Sequence, residues 1–578
     1  MATGRRHPLH SASTIQLQRN VSAKAPLTDA SFLGVKRWAV LNTQSGSLAP
    51  GAYRHRTAVG ELRCAHCGAD TAAAAVVPRM PTLLQTGGGA AGISFTSVRF
   101  AHTSTGPDPP QYSHGAPMRA AVELGAGSRN VRLRACAFTL LGGDAVSVGH
   151  DVAGVDVSGC VFRDVGGRGF STTLETTAAK QDASSIAIVD SVFDGCGHQF
   201  MDQPCCIFVS GSHNITVAHN DITDVPCGGI RVWGHFSSDS VAAASFDAGG
   251  PAVFTVSNNH VHNVGLGLLS DFGGIFVTTR PGGGHGADCA EAYGPDACNV
   301  LAVVSGNVVH GVRHHDHGGA GIYTDESSGR TNITRNLVFN NSGWGMHIHC
   351  GMRHRVENNI FAGNAAVAPA PFPQCMERDC SAEPFCNFHS HPHSAQDVQV
   401  VRNTFDQSVA PSVGVGRRVP LLNNSTLSKQ DCGNSTSVLR NASLDFNLCS
   451  CWDQRGGSRG NINVSADSAA GASRDCISDF PGDVKTGRSL SAWQTWGRQD
   501  SHSVVGSPGF AADPATTLAV RRDFRVDPAR SSAVRSIGFQ PLVGLATVGP
   551  RPEELLLAVC ENVGGDTGVW WEGCRVLD

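Results

Sequence analysis

The chain has 578 residues, of which 41% are hydrophobic and 16% charged, so it can bury a large core and is not a disordered polyelectrolyte. A formal net charge of −4 at pH 7 provides no strongly basic surface of the kind that nucleic-acid binding requires. We therefore expect no nucleic-acid partner. We also expect no membrane span, because the sequence lacks a run of about 18 uncharged apolar residues.

Sequons and cysteines indicate the compartment. The chain contains 20 cysteines, more than is usual for a cytosolic protein, in which thiols stay reduced. Asn-x-Ser/Thr sequons occur at Asn20, Asn214, Asn332, Asn340, Asn423, Asn424, Asn434, Asn441 and Asn463. We therefore predict an extracellular, disulfide-containing glycoprotein, although its first residues, MATGRRHPLHSAST, lack the apolar core of a signal peptide.

Residues 1–85 carry no repeat, and we predict an irregular capping segment there. From residue 86 a short unit of alternating apolar and polar residues recurs about ten times, and each copy is bounded by Gly or Asn. Such a unit is too short to bury its own apolar face, so neighbouring copies must stack. The copies are ISFTSVRF (93–100), VRLRACAF (131–138), VDVSGCVF (155–162), IAIVDSVF (186–193), ITVAHNDI (215–222), FTVSNNHV (254–261), AVVSGNVV (302–309), NITRNLVF (332–339), HRVENNIF (354–361) and VQVVRNTF (398–405).

This repeat predicts an all-β chain folded as a parallel β-helix solenoid over residues 86–475, with about ten coils and loop insertions. A Cys-rich insertion is expected at about 364–397, and residues 476–578 form a closing segment. One marker position of the repeat is often Asn, which tolerates a left-handed turn and can hydrogen-bond to its equivalent one coil away. We interpret these residues as a structural ladder: Asn220, Asn259, Asn307, Asn336, Asn358 and Asn403.

A Gly-apolar pair sets four consecutive coils in register, at GIRVW (229–233), GIFVT (274–278), GIYTD (321–325) and GMHIH (345–349). Strand alternation then predicts the core residues Ile230, Val232, Ile275, Val277, Ile322, Thr324, Met346 and Ile348. The outward side chains fall into two neighbouring columns. The first contains Arg231, Phe276, Tyr323 and His347, and the second contains Trp233, Thr278, Asp325 and His349. An exposed row of aromatic, charged and imidazole groups is what a sugar-binding groove needs.

A second carboxylate, Asp271, precedes the turn at Gly273 at the mouth of the same face. Glycoside hydrolysis requires two carboxyl groups, one to protonate the leaving oxygen and one to act as nucleophile or to activate water. We therefore predict Asp271 and Asp325 as the catalytic pair. The predicted substrate-binding residues are Arg231, Trp233, Tyr323, Glu326, His347 and His349.

Several stretches around these residues resemble a known family. They are NNHVHNVGLGLLSDFGGIFV (258–277), GGAGIYTDESSG (318–329), GWGMHIHCG (343–351) and VENNIFAGN (356–364), with segments 81–104 and 523–551 at the two ends. They are similar to right-handed β-helix proteins of the pectate-lyase-like superfamily, most closely those related to glycoside hydrolase family 141. The resemblance implies a right-handed helix, fucosidase or xylanase activity, and two catalytic Asp that map onto Asp271 and Asp325.

Other functions fit the same residues. A polysaccharide lyase would need a strong base, for which Arg231 is the candidate. A metal site could use His347 and His349 with His314, His315, Asp316 and His317, and a non-catalytic carbohydrate-binding protein would need only the aromatic groove. We carry forward a secreted glycoside hydrolase that acts on a polysaccharide as a monomer, without a metal or another cofactor.

Overall fold

The computed structural model describes residues 53–56, 61–64, 78–105, 118–172, 183–199, 205–210, 214–235, 254–280, 301–315, 318–325, 328–349, 354–364, 366–372, 395–396, 399–406, 439–440, 443–445, 448–450, 501–505, 507–510, 526–527, 529–542 and 548–551. Most of the predicted capping segment, most of the predicted Cys-rich insertion and much of the predicted closing segment therefore lie outside the described residues. The division of the chain at residues 85/86 and 475/476 stays a prediction.

Nearly all regular structure in the described residues is β-strand. In chain order the strands are β1 (Tyr53–Arg56), β2 (Glu61–Cys64), β3 (Leu84–Gln85), β4 (Ser94–Thr96), β5 (Arg99–Ala101), β6 (Ala120–Leu124), β7 (Arg129–Arg134), β8 (Ala137–Leu141), β9 (Asp144–Val148), β10 (Ala153–Ser158), β11 (Val161–Val165), β12 (Phe170–Thr172), β13 (Ser184–Val189), β14 (Val192–Cys196), β15 (Cys205–Ser210), β16 (Ile215–Ala218), β17 (Asp221–Thr223), β18 (Gly228–His235), β19 (Phe254–Ser257), β20 (His260–His262), β21 (Gly273–Arg280), β22 (Ala302–Ser305), β23 (Val308–His310), β24 (Ala320–Thr324), β25 (Thr331–Thr334), β26 (Leu337–Phe339), β27 (Trp344–His349), β28 (Arg355–Glu357), β29 (Ile360–Ala362), β30 (Ala366–Phe372), β31 (Ala395–Gln396), β32 (Gln399–Val401), β33 (Thr404–Asp406), β34 (Leu439–Arg440), β35 (Ser443–Asp445), β36 (Leu448–Ser450) and β37 (Val504–Val505). One short helix, α1 (Ser532–Ser536), follows.

The strands form three long parallel sheets. Sheet 1 contains β4, β7, β10, β13, β16, β19, β22, β25, β28, β32 and β35; sheet 2 contains β5, β8, β11, β14, β17, β20, β23, β26, β29, β33, β36 and β37; sheet 3 contains β3, β6, β9, β12, β15, β18, β21, β24, β27 and β30. From β4 to β30, each turn of the chain adds one strand to each sheet in a fixed order, and β31 pairs with β34 outside these sheets. The protein is a right-handed parallel β-helix, and the predicted fold is confirmed.

The interior is built from the inward-facing residue of each coil. All eight predicted core residues of the coils at 229–349 are buried, as strand alternation requires. Equivalent residues of successive coils lie against each other, so Phe100, Phe138, Phe162 and Phe193 form a continuous stack with ring centroids 5.0, 4.7 and 4.3 Å apart. Offset aromatic pairs at such distances add to the free energy gained by burial.

A ladder of buried amides runs between sheets 1 and 2. From Asn220 to Asn359, each Asn donates its Nδ2–H and its backbone N–H to the Oδ1 of the Asn one coil further on, at 2.9–3.0 Å. Its members are Asn220, Asn259, Asn307, Asn336, Asn359 and Asn403. Ser191 and Cys160 occupy the same position toward the N-terminus, where the backbone N–H of Ser191 donates to Asn220 Oδ1 at 3.1 Å and that of Cys160 donates to Ser191 Oγ at 3.1 Å.

The prediction of Asn358 as a ladder member was wrong by one residue. β28 ends at Glu357, and Asn358 adopts the left-handed conformation with φ of 57°, which turns its side chain away from the interior. Asn358 instead binds the C-terminal part of the chain, since it donates Nδ2–H to Gln540 O and accepts the Gln540 N–H, both at 2.7 Å. Asn359 takes the inward position.

The C-terminal part of the chain lies lengthwise on the stack. Val534, Ile537 and Phe539, in and just after α1, pack on the outer face of sheet 2 against Phe339 and Ile360. Further on, the Gly549 N–H donates to Asn258 O at 2.9 Å, and Arg551 Nε donates to the buried carboxylate of Asp190 at 2.8 Å. These contacts join the C-terminal segment to widely separated coils.

The described cysteines include one disulfide, between Cys196 and Cys206. Cys136, Cys160, Cys205 and Cys227 are buried thiols. In the part of the chain that the structure describes, no helix has the length and apolar character needed to cross a membrane.

The amide ladder yields a prediction for stability. Asn307→Ala removes the side-chain bonds to Asn336 Oδ1 and Val256 O and leaves the Asn259 amide without its acceptor. Because an unsatisfied buried polar group costs about 1–3 kcal/mol, we expect a loss of at least about 3 kcal/mol in the free energy of unfolding, measured by chemical denaturation. Asn332→Ala, on the outer side of β25, is the control and should change it by less than about 0.5 kcal/mol; equal effects of the two variants would refute a stabilising ladder.

Candidate functional site

The predicted site residues lie mainly on the outer face of sheet 3, on β18, β21, β24 and β27. The register pairs Arg231 with Phe276, Phe276 with Tyr323, and Tyr323 with His347. Since neighbouring parallel strands are about 4.8 Å apart, these four side chains form one column across four coils. We call them the aromatic column.

The rings of this column are in mutual contact. The centroids of Phe276 and Tyr323 lie 4.6 Å apart, and those of Tyr323 and His347 lie 4.3 Å apart. At one end, Arg231 Cζ lies 4.3 Å from the ring centroid of Phe276 and 4.4 Å from that of Trp233. The guanidinium therefore has an aromatic ring on two sides, an arrangement that stabilises its positive charge.

The expectation of an exposed row of side chains was wrong. Arg231, Tyr323 and His347 are only 6%, 2% and 5% exposed, because the side chains of the column cover one another. Trp344, which the sequence analysis missed, covers the other end, with its ring 4.8 Å from that of His347. Its position directly before the Gly-apolar pair of β27 could have indicated that Trp344 lies beside the column.

Asp271 reaches the column from the turn that precedes β21. It has a left-handed backbone, with φ of 61°, and its side chain is exposed. The backbone of the next coil passes close by at Gly318, where a Cβ atom would come within 2.7 Å of Asp271 Cα. A glycine is required at residue 318 for this reason, and the close approach fixes the position of Asp271 relative to the following coil.

Asp325 follows directly after β24. Its N–H donates to Val277 O at 2.9 Å, and its carbonyl oxygen accepts from the Ser328 N–H at 3.1 Å and from the Ser328 hydroxyl. These bonds hold the residue at the end of the strand, with its side chain half-buried. The backbone bond to Val277 places Asp325 beside the coil that begins at Asp271.

The Tyr323 hydroxyl links the two acidic residues. It donates to Asp271 Oδ1 at 3.3 Å, and the Asp325 carboxylate is near enough to the same hydroxyl to raise the pKa of Tyr323. Burial raises the pKa of Tyr323 well above its usual value, and the negative charges of Asp325 and Asp271 raise it further. Tyr323 therefore remains a neutral hydrogen-bond donor between two carboxyl groups.

Arg231 is the charge that opposes these carboxylates. Burial lowers the pKa of its guanidinium, while the nearby thiols Cys205 and Cys227 and the carboxylates Asp325 and Asp271 act in the opposite direction. Because the ordinary pKa of arginine is above 12, the side chain keeps its positive charge. The site thus combines one buried cation, two carboxyl groups and a series of aromatic faces.

The remaining predicted residues are only partly described. Glu326, Asp316 and His317 lie outside the described residues, and so does the side chain of His349, whose backbone belongs to β27. The ring of His314 binds Ser342, with Nδ1 and Oγ 2.7 Å apart.

Comparisons with known proteins give distant similarities only. No family model matches the chain, and no curated protein matches it. Among solved structures, a glycoside hydrolase shares 19% identity at a TM-score of 0.33, over 45% of this chain and 48% of that chain. A family 6 polysaccharide lyase from Pseudopedobacter saltans shares 12% at 0.32, over 79% and 94%, and the mannuronan C-5 epimerase AlgE4 A-module from Azotobacter vinelandii shares 12% at 0.30, over 58% and 85%.

In the comparison with the glycoside hydrolase, this chain spans about half the length of its relative. At these identities and TM-scores the similarities assign no activity to the chain. The functional argument therefore depends on the residues of the site.

The environment of Tyr323 yields a prediction for alkaline titration. The chain has 4 tyrosines, and we expect the phenolate absorbance of Tyr323 to appear only well above pH 10, together with unfolding. A raised pKa in the folded state means that the unfolded state loses its proton first, so stability falls as the pH rises above the unfolded value.

The matched variant is Tyr323→Phe, which keeps the ring in the aromatic column. Absorbance-detected titration of this variant should lack the late step and keep the earlier ones unchanged. If the variant instead loses amplitude near pH 10, the hydroxyl of Tyr323 is accessible and the burial argument fails.

Proposed function

We propose that this chain is a glycoside hydrolase that cleaves a polysaccharide with Asp271 and Asp325. The observation that carries the proposal is that the Tyr323 hydroxyl donates to Asp271 and that both carboxylates are near enough to it to raise the pKa of Tyr323. A single hydroxyl that is near both carboxyl groups places them close enough to act on one glycosidic bond. Hydrolysis by two carboxyl groups needs about 5–5.5 Å for retention and about 6.5–9.5 Å for inversion of configuration.

In the proposed reaction, one carboxyl group is protonated and gives its proton to the glycosidic oxygen as the C1–O bond breaks. The other, as a carboxylate, either attacks C1 to form an ester that water then hydrolyses, or takes a proton from the water that adds to C1. Tyr323 donates a hydrogen bond to whichever oxygen bears the negative charge. The sequence resemblance to relatives of glycoside hydrolase family 141 supports the same two residues.

The buried guanidinium of Arg231 fits the role of a fixed positive charge in a hydrolase better than the role of a base in a lyase. A lyase must remove a proton from carbon with a strong base, whereas Arg231 lies between two aromatic rings and beside two carboxylates, all of which favour its charged form. In a hydrolase, that positive charge can stabilise whichever of the two carboxyl groups is negatively charged. A lyase remains the alternative that the experiment must separate.

The test uses a panel of pectic, xylan and algal glycans with the purified full-length chain. We expect new reducing ends without ultraviolet-absorbing unsaturated uronates. Asp325→Asn and Asp271→Asn should each lower kcat by about 10²–10⁴-fold, while Asp156→Asn, on the outer face of β10 in sheet 1, should leave it unchanged.

Unsaturated products would identify a lyase. Release of reducing ends that persists in both Asn variants would refute the assigned pair. Binding of a glycan that is never cleaved would indicate a carbohydrate-binding protein. Anomer-resolved NMR of the first product distinguishes retention from inversion.

We also propose that the protein is secreted and N-glycosylated, which the Cys196–Cys206 disulfide and the sequons support. Asn214 is exposed, whereas the side chain of Asn340 is only 6% exposed. In protein purified from the medium of a eukaryotic host, glycopeptide mapping should find glycan at Asn214 and none at Asn340, because a buried side chain cannot accommodate it. Glycan at Asn340 in folded protein would show that the secreted protein does not have this fold, in which the Asn340 side chain is buried.

A further inference from the structure

A group of histidines lies on the outer face of sheet 2, in coils that also carry the candidate catalytic residues. His260 and His262 are two residues apart on β20, so strand alternation puts both on the same face, while Val261 between them is buried in the core. His310 on β23 pairs with His262 in the register. Two neighbouring strands therefore bring three imidazoles together.

The ring nitrogens are close enough to share one ion. His260 Nε2 and His310 Nε2 are 3.0 Å apart, and one ring nitrogen from each of the three histidines lies within 4.8 Å of the others. A tetrahedral zinc ion binds imidazole nitrogen at about 2.0–2.1 Å, which separates two such ligands by about 3.3 Å. The rings of His260 and His262 are stacked, with centroids 4.2 Å apart and planes at 23°, so ion binding requires these imidazoles to turn until their nitrogens point at one position.

A carboxylate supports the histidines from the preceding coil. Asp221 on β17 pairs with His260 in the register, and its Oδ1 lies 3.1 Å from His260 Nδ1 and 3.0 Å from His262 Nε2. Metal-binding histidines commonly donate their second ring N–H to a carboxylate, which fixes the ring orientation and makes the other nitrogen a stronger ligand. With Nδ1–H directed to Asp221, His260 presents Nε2 toward His310.

Ions can reach this group from the surface. The side chains of His260 and His262 are 31% and 22% exposed, whereas that of Asp221 is 6% exposed. Imidazole ligands with a nearby carboxylate suit zinc and neighbouring divalent metals such as cobalt, rather than calcium or magnesium, which prefer oxygen ligands.

We propose that His260, His262 and His310 form a divalent transition-metal site, with Asp221 as the supporting carboxylate. The ion joins three successive coils through β17, β20 and β23. The turn after β20 leads to Asp271, and the turn after β23 leads to β24, which carries Tyr323 and ends before Asp325. The C-terminal segment crosses at the same place, with Gly549 beside His260, so the site stabilises the part of the stack on which the candidate active site is built.

The test is metal binding by the full chain, prepared without an affinity tag and stripped with a chelator. Titration with Co²⁺, followed by visible absorption, should show one saturable tetrahedral site, and Zn²⁺ should displace the Co²⁺. The thermal midpoint should rise with Zn²⁺, since a ligand that binds only the folded state stabilises it.

His262→Asn, on an accessible side chain, should abolish the Co²⁺ spectrum, and Asp221→Asn should weaken binding by about 10–100-fold. Because the chain has 25 histidines, His198→Asn, outside the group, is the control and should bind as the wild type does. Circular dichroism establishes that each variant is folded.

A Co²⁺ spectrum that persists in His262→Asn and His310→Gln would overturn the proposal, and so would a wild type that shows no saturable binding. In the second case, the group is a hydrogen-bonded network of imidazoles around Asp221. Glycan cleavage is measured separately, so failure of the metal site and failure of the proposed hydrolase are distinguishable.

Discussion

Backbone hydrogen bonding between successive coils is the interaction on which the rest of this structure depends. It holds parallel strands about 4.8 Å apart and keeps them in register, so the closest neighbour of each side chain is the residue at the same position one coil away. Any residue type that recurs in the repeat therefore becomes a continuous column. The phenylalanine stack, the asparagine ladder and the aromatic column are three results of this one constraint.

The asparagine ladder shows how the constraint makes a buried polar group acceptable. An isolated amide in this interior would cost several kcal/mol, but each ladder Asn has its equivalent in the next coil as acceptor and a carbonyl of the preceding coil as a second partner. Toward the N-terminus, Ser191 and Cys160 fill the position with smaller side chains. The N-terminal coils gain interior contacts instead from the phenylalanine stack, in which Phe162 and Phe193 take part.

The same geometry builds the candidate active site from residues that are distant in sequence. Asp271 and Tyr323 are 52 residues apart, yet they belong to adjacent coils and meet because the Gly318 turn lets the two backbones approach. Arg231 enters from one coil earlier and supplies the positive charge. Histidines of the same coils lie on sheet 2, so a metal bound there would stabilise the turns that position Asp271 and β24.

The repeat was sufficient to predict the all-β parallel stack, the core residues of the four central coils and the alignment of Arg231, Phe276, Tyr323 and His347. These features follow from a period of two and a recurring motif, and both are local properties of the chain. The choice between Asn358 and Asn359 was not determined, because both are asparagine and only the backbone dihedral decides which one faces inward.

Three features could be seen only in the folded chain: the aromatic column is buried, Tyr323 lies near two carboxyl groups, and His260, His262 and His310 meet around Asp221. These features depend on turn lengths and on contacts between side chains of different coils. The hydrophobic pattern of a single strand carries no information about either.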